Sequence, residues 1–71
     1  MNIHDIPRVP QHVLAKARSM AKDRGGRVEV FYFRPDDHND YKQHWGVYLP
    51  GEDEPVAFDG ELACEVEVPN A

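Results

Sequence analysis

Two residues of this chain have the types needed for covalent chemistry. Cys64 is the single cysteine and His44 is one of four histidines, and a thiol beside an imidazole can act as a nucleophile with its general base. Strand alternation, however, predicts that Cys64 faces inward, where a thiol behaves as a small hydrophobic group and its pKa rises. We therefore interpret Cys64 as a core residue and expect no enzymatic activity. A small hydrolase or transferase that uses Cys64 and His44 is the alternative.

The surroundings of His44 resemble a known catalytic hairpin. Residues 29–31 (EVF) and 43–49 (QHWGVYL) look like the strand pair that carries the catalytic histidine in lecithin-retinol acyltransferase-like proteins, with His44 at that position. Residues 56–58 (VAF) stand where that family has a second histidine, and the family's asparagine-cysteine-glutamate-histidine segment has no counterpart. The resemblance is to an amphipathic strand pair, and the family's activity is not carried over.

An aspartate-rich segment lies close to two histidines and contains the residue types of a cation site. These residues are Asp36, Asp37, His38, Asp40 and His44. Their spacing lacks the glycine and the terminal glutamate of an EF-hand loop, and one cysteine cannot build a thiolate zinc site. Because segments rich in Asp and Asn are typical of turns, we predict neither a metal ion nor any other cofactor.

Charge is divided between the two halves of the chain. Residues 1–34 hold seven Lys/Arg against three carboxylates, a balance of +4, whereas residues 35–71 hold one lysine against ten carboxylates, a balance of −9. Such asymmetry steers association without defining an activity. We interpret the chain as a small acidic binding or regulatory protein that acts on another protein, and the acidic half would favour a basic one. The alternative is an acidic inhibitor of the anti-restriction or anti-CRISPR kind, encoded by phages or mobile elements, that occupies a nucleic-acid-binding groove. Direct nucleic-acid binding is not expected, since the acidic half repels phosphate.

Length and composition limit the class of protein further. The 71 residues predict one small domain, 1–71, with little room for a sheltered pocket. A lone cysteine fits a reducing compartment, and the sequence has neither an apolar run long enough for a membrane span nor the apolar region of a signal peptide. We expect a cytoplasmic protein with no membrane association, for which a homodimer is one means of stabilising so small a core.

The first predicted element is an amphipathic helix. After an irregular lead-in over residues 1–9, Pro10 suits the first helical position, and Gly25-Gly26 provides a left-handed stop. The apolar residues recur with the spacing of one helical face. They are Val13, Leu14, Ala17, Met20 and Ala21.

Period-2 patterns then predict four strands, over residues 28–33, 42–49, 56–58 and 62–68. Asp59-Gly60 predicts a type I′ hairpin turn between the last two. Since every connection is short, the sequence predicts an α+β fold in which the helix covers one face of a four-stranded antiparallel meander.

The predicted helix-covered face and its opposite, which we call the outer face, have different compositions. The helix is expected to cover Val28, Val30, Tyr32, Trp45, Val47 and Leu49, with Leu62, Cys64, Val66 and Val68 also inward. The outer face then carries the candidate partner-binding residues Phe31, Phe33, His44, Tyr48, Glu61, Glu65 and Glu67. Aromatic residues are enriched at interface centres, and carboxylates steer a basic partner. One competing interpretation is that this face forms a homodimer interface. Another is that the strand register differs by one residue, which would turn the aromatic side chains inward.

Overall fold

The first regular element of the described chain is the predicted helix. The computed structural model describes residues 6–69, with all their side chains except that of His38. Of the expected lead-in, residues 1–5 lie outside the described residues, and residues 6–10 have no regular secondary structure. Helix α1 spans Gln11–Asp23. No helix within residues 6–69 has the length and apolar character needed to cross a bilayer.

Helix α1 packs through small side chains. Val13, Ala17 and Ala21 are its buried residues, and the two alanines allow the helix to lie close to the sheet because they carry only a Cβ. Leu14, predicted on this face, is only half-buried and is not part of the core. The helix ends as predicted: Gly25 has a φ of 109°, and the amide of Gly26 donates to the carbonyl of Ala21 at 2.6 Å, which is a Schellman stop.

Within residues 6–69 the sheet has three strands, and the predicted four-stranded meander is wrong. Strands β1 (Arg27–Phe33), β2 (His44–Tyr48) and β3 (Glu61–Glu67) lie in the order β2-β1-β3, and both pairings are antiparallel. The central position of β1 is explained by its composition, since RVEVFYF is the most apolar and β-branched or aromatic strand of the three. The α+β class, with an N-terminal helix on an antiparallel sheet, is confirmed.

The predicted face of the sheet lies under the helix. Val28 and Val30 are fully buried and form the core with the three helix residues. Trp45, Val47 and Leu49 pack against that core, as do Cys64, Val66 and Val68 from the third strand and the segment that follows it. The prediction of which side of β1 and β2 the helix covers is therefore confirmed.

The predicted strand over residues 56–58 is instead part of a helical turn. Helix α2 spans Glu54–Ala57. Pro55 removes a backbone donor that a strand would need but that a first helical turn does not use. Asp59 has a φ of 59° and ends this helix, with the Gly60 amide donating to the Pro55 carbonyl at 2.6 Å. Asp59-Gly60 thus forms a second Schellman stop, not a type I′ hairpin turn.

The segment from residue 49 to residue 60 carries the chain back over the outer face. Pro55 is fully buried. A Cβ added at Gly60 would lie 2.8 Å from Phe33 Cε1 and 2.9 Å from the Pro55 carbonyl oxygen. Phe33 is consequently only 8% exposed although it lies on the outer face. The fold therefore has three layers, namely α1, the sheet, and this crossover segment at one end of the outer face.

A β-bulge changes the orientation of the start of β3. Val30 lies opposite Cys64, but the next residue of β1, Phe31, lies opposite Leu62, so Ala63 is the extra residue. Leu62 was predicted inward, but the bulge places it on the outer face, where it is 48% exposed. Ala63, the extra residue, packs against the core.

Because of the same bulge, Glu61 does not lie on the outer face, where it was predicted. It lies opposite Tyr32 and so does not share the outer face with Glu65 and Glu67. Its carboxylate pairs with Arg34 at 2.5 Å between Nε and Oε2, and the Arg34 guanidinium carbon lies 5.7 Å from the centre of the Tyr32 ring.

Candidate functional site

Four aromatic side chains meet on the outer face, as the sequence predicts. Phe31 and Phe33 come from β1 and His44 and Tyr48 from β2. The Tyr48 ring lies 5.9 Å from Phe31 and 6.4 Å from Phe33, and His44 lies 5.8 Å from Phe33, all between ring centroids. These distances fall within the range of favourable aromatic pairs. We call these four residues the aromatic cluster.

Tyr48 reaches its partners because Gly46 has no side chain. In the β1-β2 register Tyr48 lies opposite Glu29, while Gly46 lies opposite Phe31. The phenol ring leans back along β2 and covers Gly46, so that a Cβ there would lie 2.9 Å from both Cζ and the hydroxyl oxygen of Tyr48. Gly46 therefore permits the contact between Tyr48 and Phe31.

The loop between β1 and β2 is organised by Asn39. Its side-chain oxygen accepts hydrogen bonds from the amides of Asp36 (2.9 Å) and Lys42 (3.2 Å), and its side-chain nitrogen donates to the Arg34 carbonyl at 3.0 Å. Tyr41, with a φ of 59°, also donates its amide to Asp36 at 2.7 Å. The sequence predicts a turn here, but not that Asn39 holds Asp36 beside the aromatic cluster.

A cleft of about 210 Å³ opens between the aromatic cluster, the β1-β2 loop and the crossover segment. Three of the four cluster residues contribute to its wall, together with two acidic residues. The lining residues are Phe33, Asp36, Asn39, His44, Tyr48, Glu54 and Phe58. None of these is a lysine or an arginine, so the cleft is aromatic and acidic.

The negative charge of the crossover segment acts on Tyr48. Burial raises the pKa of the Tyr48 phenol, and the nearby carboxylates Glu54 and Glu52 raise it further. Both effects favour the neutral phenol over phenolate. Within residues 6–69 Glu54 has no ion-pair partner, so its charge remains available at the cleft.

Two of the three glutamates predicted on the outer face do lie there, on β3 and away from the cleft. Glu65 is opposite Glu29, and Glu67 is opposite Arg27. Arg27 donates to Glu65 at 3.2 Å, in a pair whose side chains are both more than 40% exposed. An ion pair this exposed contributes little to stability, so Glu65 and Glu67 act mainly as surface charge.

The structure does not bring Cys64 and His44 together. Cys64 lies on the helix-covered face of β3, opposite Val30, and His44 lies on the outer face of β2, opposite Phe33. Their strands are separated by β1, about 10 Å from one to the other. Burial also raises the pKa of the Cys64 thiol, which disfavours the reactive thiolate. No nucleophile and base pair forms from these two residues.

Among the described residues, no group of three or more histidine, cysteine and acidic side chains is arranged to hold a metal ion. Asp36 lines the cleft, and Asp37 begins a 3₁₀ turn, Asp37–Asn39. Asp40 is exposed in a left-handed conformation, with a φ of 56°. The segment is thus built as a turn.

Only part of the charge of each half is separated in the fold, since Arg27 and Arg34 of the basic half pair with Glu65 and Glu61 of β3. The basic residues of α1 are all exposed: Lys16, Arg18 and Lys22. The crossover segment presents exposed carboxylates on the opposite side of the sheet, from Glu52, Asp53, Glu54 and Asp59. The cations of α1 and the carboxylates of the crossover segment therefore lie on opposite sides of the sheet, with the carboxylates on the side of the cleft.

Comparison with protein-family models, with curated proteins and with solved structures gave no significant match. The function is therefore inferred from the site itself. The sequence reasoning identified the aromatic cluster but missed Asn39, Glu54 and Phe58. Three acidic residues before Pro55, with Asp59-Gly60 after it, are typical of a short capped helix. This pattern could have identified the segment that brings Glu54 and Phe58 to the site.

Proposed function

We propose that this protein is a non-enzymatic binding domain that engages a basic protein partner through the outer face of its sheet. One observation carries this proposal: an apolar patch remains uncovered on that face. Phe31 and Tyr48 are only half-buried although their rings pack together. Leu62, opposite Phe31, is 48% exposed, and Phe58, which lines the same cleft as Tyr48, is 61% exposed. Contiguous exposed apolar residues are typical of interaction sites.

Charge favours a basic partner over a second copy of this chain. Acidic residues border the patch: Glu54 lines the cleft with Tyr48, and Glu65 lies opposite Glu29, two residues before Phe31 on β1. In a symmetric dimer over this face, acidic residues would face acidic residues. Like charges brought together at an interface cost several kcal/mol. A basic partner surface would instead be attracted by these carboxylates.

The proposal is tested by using this protein and its variants to capture partner proteins from an extract of the source cell. Phe31→Ala and Leu62→Ala should each lose the specific partner, because they remove apolar contact from the patch without deleting charge. Tyr41→Ala is the matched control, since Tyr41 is 73% exposed but lies in the β1-β2 loop and does not line the cleft. Retention of the same partner by both patch variants would overturn the proposal.

An acidic mimic of nucleic acid is the second candidate. It is supported by the four exposed carboxylates of the crossover segment, which lie within eight consecutive positions. In that case the partner would be a nucleic-acid-binding protein, and oligonucleotides would compete with this chain. The two proposals differ in the residues they need, since the mimic depends on carboxylates and the first proposal on the aromatic cluster.

A further inference from the structure

We propose that the cleft beside the aromatic cluster receives the guanidinium group of a single arginine side chain from the partner. This inference rests on the proposed function, because it names the group of the basic partner that enters the site. It follows from the size of the cleft, from the chemistry of its walls and from the charge around it.

The size of the cleft suits one side chain. Its volume of about 210 Å³ is below the roughly 300–1,000 Å³ of ordinary small-molecule sites. A cavity of about 150 Å³ is enough for a benzene ring. The cleft therefore has room for the flat end of one side chain and part of its stem, but not for a nucleotide or a large cofactor.

The walls of the cleft combine the two kinds of group that bind a flat cation. Tyr48 and Phe58 offer ring surface, on which a guanidinium stacks favourably. Glu54 lines the same cleft and has no ion pair within residues 6–69, so we assign its carboxylate as the acceptor. A carboxylate can accept two parallel hydrogen bonds from a guanidinium, which a lysine ammonium cannot donate in that geometry. Arginine is for this reason favoured over lysine.

The charges around the cleft are negative, which favours a guanidinium group. No lysine or arginine is among the lining residues, and Glu54 has no ion pair within residues 6–69. Glu54 and Glu52 are close enough to Tyr48 to disfavour a negative charge on its oxygen. The same carboxylates favour a positive charge placed against that ring.

The probe is acetyl-arginine amide, titrated into the full chain and followed by NMR of the aromatic side chains. We expect the chemical shifts of Tyr48 and Phe58 to change and to saturate at millimolar concentrations of acetyl-arginine amide. Acetyl-citrulline amide, which has nearly the same shape without the charge, should give none, and acetyl-lysine amide should bind more weakly. Glu54→Gln should weaken arginine binding about fivefold, the scale of a partly exposed ion pair. Glu67→Gln, which removes an equal charge from β3, is the matched control and should leave it unchanged.

Equal binding of the citrulline and arginine probes would overturn the inference, because the ligand's charge would not matter. An equal loss of arginine affinity in Glu67→Gln and Glu54→Gln would also overturn it, because the carboxylate recognised would not be local to the cleft. Absence of any arginine-dependent shift would overturn it too. Should Glu54→Gln disturb the fold, Phe58→Ala offers a second variant, since it deletes an exposed ring and should also weaken binding. If acetyl-arginine amide does not bind but Phe31→Ala still loses the partner, only the arginine inference is overturned. If Phe31→Ala and Leu62→Ala retain the partner, the proposed function itself is overturned.

Discussion

The phenol ring of Tyr48 lies directly over Gly46, two residues earlier on the same strand. This contact brings Tyr48 within 5.9 Å of Phe31, which is opposite Gly46 on β1, instead of leaving it beside Glu29. A glycine inside a strand normally weakens it. Here its missing side chain is what allows three aromatic rings to meet on the outer face.

Gly46→Ala should therefore move Tyr48 away from the aromatic cluster. The added methyl group has no space beside the ring, and overpacking of this kind costs about 1–3 kcal/mol of unfolding free energy. In a Tyr48→Ala background the same substitution should cost much less, since the clashing ring is gone. Urea denaturation of the four proteins of this cycle measures the coupling. Additive effects would show that Tyr48 does not lie over Gly46.

The close packing of α1 on the sheet predicts a large difference between two alanines of the same helix. Ala17 is fully buried against the sheet, while Ala15 is exposed. Ala17→Leu should lower the unfolding free energy by about 1–3 kcal/mol, because the sheet leaves no space for the larger side chain. Ala15→Leu should change it by less than about 0.5 kcal/mol. Thermal denaturation compares the two, and similar melting temperatures would contradict the packing described here.

Stability should fall in strong alkali through Tyr48. Burial, Glu54 and Glu52 raise the pKa of its phenol in the folded state, so the folded protein holds the proton more tightly than the unfolded chain. The resulting stabilisation is fully present below the usual tyrosine pKa of about 10 and is lost as the pH rises through the raised pKa.

The measurement for Tyr48 is the ultraviolet absorbance of phenolate, taken as the difference between the natural chain and Tyr48→Phe. Glu54→Gln should lower the pKa of Tyr48 because it removes one of the causes of the shift. Glu67→Gln, on β3, should not. Ionisation of Tyr48 at or below the usual pH for tyrosine would refute the placement of these carboxylates.

Cys64 should react slowly with thiol reagents in the native protein. It packs against the core, and burial raises the pKa of its thiol, so the thiolate that reacts is scarce near neutral pH. The rate of modification should rise markedly once urea unfolds the chain. A native rate equal to or faster than the unfolded rate would restore the Cys64 and His44 hypothesis.

The parts of the fold that the sequence predicted well are those with strong local periodicity. Helix α1 follows from apolar residues on one helical face and two glycines at its end, and the faces of β1 and β2 follow from alternation. These patterns also placed Phe31, Phe33, His44 and Tyr48 on one surface. Local pattern suffices in these cases because burial of one face leaves only one register that keeps polar residues in water.

The errors arose where tertiary structure overrides a local pattern. Asp-Gly is compatible with both a hairpin turn and a helix stop, and Pro55 decides between them because it fits the first turn of a helix. The bulge at Ala63 could not be predicted, since Leu62 and Cys64 alternate regularly in the sequence although they lie on opposite faces in the fold. The cleft was missed for the same reason, because Glu54 and Phe58 reach it only through the crossover.

The most direct test of the outer-face proposal is the binding kinetics of the captured partner with two sets of variants at two salt concentrations. Phe31→Ala and Tyr48→Ala should each weaken the complex about 30-fold or more, mainly by faster dissociation, which corresponds to the roughly 2 kcal/mol of an interface hot spot. Glu65→Gln and Glu67→Gln should slow association and reduce its salt dependence without abolishing the complex. Unchanged affinity of the aromatic variants, with loss of the complex in the glutamate variants, would contradict the proposal and favour the acidic mimic.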